Sequence, residues 1–145
     1  MIVVFIHINK EIKNMNADFE GKICKMFFNK KCCERLTYEL LSKKKRGEFF
    51  RKMSHSSKLY VGNCIFLEQY MPCGIDKIIE FLEDDVCYFI TTFEKYDGEY
   101  CELQTVLSDI WSNGMPYMIV NRKCDRAYLE TEYNFSEHIS YFLKR

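Results

Sequence analysis

The chain is expected to fold as a single α+β domain, with a mixed and largely antiparallel sheet packed by helices. Two kinds of segment predict this. Residues 86–93 and 117–120 are apolar, β-rich runs of strand length. Alternating with them, Ile75, Ile78, Ile79 and Leu82, and then Leu103, Val106, Leu107 and Ile110, repeat at the i, i+3, i+4, i+7 spacing that lines one face of a helix. Asp97-Gly98 marks the turn between strand and helix, and Gly114 with Pro116 stops the second helix.

The remaining elements follow in chain order. Residues 2–8 read as a short buried strand ended by Asn9, although Met15 is an alternative start that would make residues 1–14 an extension. Asn16 is placed to cap a helix reaching Phe28, with Phe19, Ile23, Met26 and Phe27 on one face. Gly21 weakens that helix by about 1 kcal/mol relative to alanine. After a break near Asn29, Lys30 and Lys31, a stripe of Cys33, Leu36, Leu40 and Leu41 predicts a second helix. It ends in Lys43-Lys44-Lys45-Arg46-Gly47, where the helix dipole favours cations. Phe49, Phe50 and Met53 imply a short helix before a loop at residues 54–57. Two β-rich runs around Gly62-Asn63 suggest a hairpin, with one bent strand as the alternative. Residues 121–125 form a turn, residues 127–130 return as an antiparallel strand, and Asn134 or Ser136 caps a last helix holding Ile139, Phe142 and Leu143.

Composition narrows the function classes. With 145 residues, 48% apolar and only two prolines and six glycines, the whole chain reads as one globule able to bury a core without staples. Eight cysteines without a secretory leader point to reduced thiols in the cytoplasm. No apolar run reaches membrane length. The net charge of zero conceals a split: residues 1–60 carry 14 Lys and Arg against 6 Asp and Glu, whereas residues 61–145 carry 7 against 15. Such asymmetry between halves hints at a charged partner, unless the halves intermix on folding.

The chemistry-bearing motifs are few. The cysteines form no C-x-x-C pair, so no metal site is expected, and no glycine-rich loop or G-x-S-x-G elbow suggests a cofactor or a nucleophile. Carboxylates among Glu80, Glu83, Asp84, Asp85 and Glu94 could pair for acid–base work, but exposed acids on helices are ordinary. Cys73, just ahead of a helix N-terminus and with His55 as a base, is the one thiol with a catalytic reading. Lys43, Lys44, Lys45, Arg46, Arg51 and Lys52 interleave with Phe49 and Phe50, a pattern that suits nucleic acid or another polyanion at residues 43–52. The helical spacing of the two phenylalanines with Met53 favours the core instead.

The leading expectation is a non-catalytic, cytoplasmic binding domain of the immunity or inhibitor type. It would dock a basic protein, such as a toxin or nuclease, through an acidic face made of Glu80, Glu83, Asp84, Asp85, Glu94, Tyr96, Asp97, Glu99, Tyr100 and Glu102. Trp111 is a further aromatic candidate, for that face or for the core. Glu83, Asp84 and Asp85 stand at the end of a helix where negative charge is unfavourable, so they need a cation from within the chain or from a partner.

Overall fold

The computed structural model describes residues 16–55, 65–69, 74–111, 115–130 and 140–145. Residues 16–27 form α1; α2 is Lys30–Leu41, α3 Arg46–His55, α4 Ile75–Leu82 and α5 Leu103–Ile110. The strands are β1 Ile65–Gln69, β2 Val86–Thr91, β3 Glu99–Glu102, β4 Tyr117–Asn121, β5 Arg126–Glu130 and β6 Ser140–Lys144. They join in the order β1-β6-β5-β4-β2-β3, and every neighbouring pair is antiparallel. The expected strand at residues 2–8, the Gly62-Asn63 hairpin and Cys73 lie outside the described residues.

Helices cover the sheet on both sides. Tyr88, Ile90, Met118, Val120, Ala127, Leu129, Tyr141 and Leu143 pack against α1, α2 and α3. The residues between them in sequence, Cys87, Phe89, Tyr117, Ile119, Tyr128 and Phe142, pack against α4 and α5. Side chains alternate between faces along a strand, so a sheet buried twice requires uninterrupted apolar runs. Residues 87–90 and 117–120 supply such runs, and all of them are buried.

Local signals explain the helix ends. Asn29 caps α2 by accepting a hydrogen bond from the Lys31 N–H at 3.2 Å. Glu83 ends α4 in a left-handed conformation, φ 52°. Asn16 is itself helical, and its amide donates to the Gly98 carbonyl at 2.9 Å, so it ties α1 to the β2–β3 turn. Gly98 stands at φ +75°, a conformation that only glycine adopts without strain.

The structure departs from expectation in three places. Residues 99–102, read as the approach to a helix, are strand β3, so Cys101 pairs with Cys87 across a ladder and does not lie in a helix. The expected last helix is instead β6, in which Tyr141, Phe142 and Leu143 are buried in succession. Their match to helical spacing came from a sheet with two buried faces. Ser54 and His55, expected in a loop, are the last residues of α3.

Candidate functional site

The charge split survives folding. The helical layer α1–α3 with its turns, residues 16–55, carries eleven Lys and Arg against five Asp and Glu. Residues 74–111, which hold α4, β2, β3 and α5, carry two against ten. The two groups of charge sit on different elements and meet where Arg46 of the first pairs with Asp97 of the second at 2.8 Å; the remaining exposed charges can present their own fields to a partner.

Several acids nominated by the sequence are engaged inside the chain. Asp84 has a side chain only 10% exposed. It accepts from the Arg122 guanidinium at 2.6 Å (Nη2) and 3.1 Å (Nε), and from the Arg122 backbone N–H at 3.0 Å. Burial pushes its carboxyl up, but the Arg122 side-chain and backbone hydrogen bonds and the Val86 N–H outweigh that and hold it down at about 2. Arg122 also reaches Asp85 at 3.3 Å, and Arg126 reaches Glu83 at 3.2 Å and donates to the Phe81 carbonyl at 2.8 Å. The cation required at the acidic end of α4 thus comes from the β4–β5 hairpin, within the acidic half.

A depressed carboxyl has a signed consequence for stability. Asp84 contributes fully above its ordinary value of 3.8, and the contribution is lost as pH falls toward about 2. Asp84→Asn should remove this component of the acid-induced fall in stability. Urea midpoints measured at pH 5 and at pH 2.5 would show it; an undiminished fall in the variant would take Asp84 out of the account.

Asp97 is engaged more deeply. Its carboxylate accepts from Arg46 Nε and Nη2, each at 2.8 Å, and from the Thr91 N–H at 3.1 Å. The same guanidinium donates through Nη1 to Glu20 at 2.8 and 2.9 Å and to the Leu40 carbonyl at 2.7 Å. Arg46, expected in an exposed cationic run, is instead the first residue of α3 and the centre of a buried network. Burial raises the Glu20 carboxyl, and the pull of Arg46 does not cancel it. Burial lowers the Arg46 guanidinium, but Asp97 and Glu20 outweigh that and raise it.

Tyr96 is buried, and its hydroxyl donates to Asp109. What remains open is a strip along the sheet edge. Glu99, Tyr100 and Glu102 are exposed on β3, which among the described strands pairs only with β2. Asp85 adjoins one end of the strip, since its carbonyl accepts the Leu103 N–H at 2.8 Å, and exposed Glu94 lies in the loop at the other end. Tyr100 is 43% exposed while its ring packs on Phe19 and Tyr88 at 5.3 and 5.0 Å, a half-covered aromatic at the edge. Glu80 and Glu83 are exposed on α4 and at its C-cap, and Trp111, at 40% exposure, caps α5 rather than entering the core.

The other candidates fare differently. Within residues 43–52, Arg46, Arg51 and Lys52 pair with Asp97, Glu48 and Glu39, and Phe49 is buried, which leaves Lys43, Lys44 and Lys45. Among the described cysteines, burial pushes Cys24 and Cys87 up to about 12 and Cys124 to about 11, and it raises Cys32 and Cys101 as well. None of these five is a thiolate nucleophile near neutral pH. Among the described residues, no group of three or more His, Cys, Asp or Glu side chains is arranged to hold a metal ion, and no helix is long and apolar enough to cross a membrane. The chain matches no protein-family model, no curated protein and no solved structure.

Proposed function

We propose that the chain is a non-catalytic, cytoplasmic protein-binding domain that docks a basic partner along the acidic β3 edge. An immunity- or inhibitor-type role, in which the edge neutralises a basic toxin or nuclease, fits this chemistry. The observation that carries the reading is the acidic excess of residues 74–111, in which Asp85, Glu94, Glu99 and Glu102 are exposed along the edge that also holds Tyr100. Acids on an open edge also discourage sheet-to-sheet aggregation. That role alone does not require ten acids against two cations over residues 74–111. The contact residues are Asp85, Glu94, Glu99, Tyr100 and Glu102, with Glu80 and Glu83 at the rim; Asp84, Tyr96 and Asp97 support the face from behind.

The test compares two baits, the native chain and a Glu94→Lys, Glu99→Lys, Glu102→Lys variant, for retention of a basic protein, followed by association kinetics with that protein. Charge reversal on an exposed rim should lower the association rate by about tenfold or more at low salt, with less effect on dissociation. A partner retained equally by both baits, with equal association rates, would overturn the reading.

A further inference from the structure

The helical layer carries a groove of its own. Lys25 of α1 and Lys30, Cys33, Glu34, Tyr38 and Leu41 of α2 line an open depression of about 670 Å³, within the size range of ligand-binding clefts. Its lining is apolar because Tyr38 and Leu41, three residues apart on α2, expose 56% and 46% of their surface. Leu36 and Leu40 of the same helix are buried, so the helix has an inner apolar stripe and a separate outer one. Two large apolar side chains held in water on a rigid helix are a feature that a partner would cover.

Charge selects the partner. Lys25 and Lys30 stand exposed in the lining, Lys31 is exposed on α2 and Lys43, Lys44 and Lys45 are exposed just after it, and among the described residues none of the six forms an ion pair. Glu34 is the opposing charge in the lining. The Arg35 guanidinium sits 5.5 Å from the centre of the Tyr38 ring while its Nε bonds Glu39 at 2.9 Å, so one face of the ring is already covered. A nucleic-acid strand needs successive open rings for its bases, and among the described residues Tyr38 is the one ring in the lining. A helix keeps its own backbone satisfied, fills such a lining with side chains at i and i+3 or i+4, and can place carboxylates along both flanks.

We infer that the α1–α2 groove is a docking site for an acidic amphipathic helix of another protein, with Tyr38 and Leu41 as its anchors and the lysines as its rim. This site shares no lining residue with the acidic edge and does not depend on the function proposed above.

The test uses the full chain and a fluorescently labelled synthetic helix with leucines on one face and glutamates on its flanks, read by anisotropy. Saturable binding is expected. It should weaken by about tenfold or more in Tyr38→Ser with Leu41→Ser, and likewise in Lys25→Glu with Lys30→Glu. Glu99→Lys should leave it unchanged. Circular dichroism checks the fold of each variant, and Leu41→Met, which keeps an apolar anchor, should retain binding. The inference is overturned by absence of saturable binding, by equal binding to the Tyr38→Ser, Leu41→Ser variant, or by equal binding of a scrambled peptide of the same charge. Tighter binding of a labelled single-stranded oligonucleotide would likewise overturn it.

Discussion

Arg46→Met should cost about 3–5 kcal/mol of stability, whereas Lys44→Met, two residues earlier in the same cationic run, should cost less than about 0.5 kcal/mol. The difference lies in what each side chain leaves behind. Lys44 is exposed, and its loss strands nothing. Removing Arg46 deprives the Glu20 and Asp97 carboxylates and the Leu40 carbonyl of their shared donor, in a region where Glu20 is almost fully buried. It also unties α1, the end of α2, the start of α3 and the β2–β3 loop from one another. The deficit should shrink as pH falls. Glu20 already titrates above its ordinary value in the folded chain, so its ionisation opposes folding, and without Arg46 its folded value rises further. Protonation then relieves the stranded charge below that higher value. Urea midpoints for the three proteins at pH 7 and pH 5 would decide the matter; an Arg46 deficit no larger than that of Lys44 would mean the network contributes little.

The second large effect belongs to β6. Phe142→Ala should cost about 3–5 kcal/mol and Leu143→Ala about 2–5 kcal/mol, each by opening a cavity. The cavities open on opposite faces. Phe142 packs on Phe81 and Tyr128, with ring centres at 4.7 and 5.0 Å, under α4 and α5. Leu143 belongs to the core beneath α1, α2 and α3. A surface helix would turn at least one of residues 141–143 toward water, and truncation there would be mild. Three consecutive large losses on truncating Tyr141, Phe142 and Leu143 are the signature of a strand buried twice; one mild result would favour the helix.

These two regions also mark where sequence reading ran out. Elements whose burial leaves a clear local pattern were legible: α4 and α5 show their stripes, and β2 and β4 their continuous apolar runs. β3 was hidden because Glu-Tyr-Cys-Glu on an open edge buries too little to leave a pattern. β6 was hidden because a doubly covered strand and a short buried helix segment share one composition. The candidate site was legible in charge but not in partnership. Nothing near Arg46 distinguishes it from Lys43, Lys44 and Lys45, since its partner Asp97 lies 51 residues away. Asp84 was expected to need a cation, but its source, Arg122 of the β4–β5 hairpin, lies 38 residues further on. Pairing across such separations is a property of topology, and no local window contains it.

The strand order carries a consequence for how the molecule assembles in time. β2 with β3 and β4 with β5 are hairpins whose halves leave the ribosome almost together, so each can zip as soon as it is made. β1 is different. Among the described strands its one ladder is with β6, where Ile65 faces Lys144 and Gln69 faces Ser140. Nearly the whole sheet must be synthesised before that ladder can close, and loop-closure entropy opposes it throughout. The three-helix layer and its Arg46 network can form early over an incomplete sheet. The nascent chain would therefore wait with one edge open, and completion of β6 is the event that commits the fold.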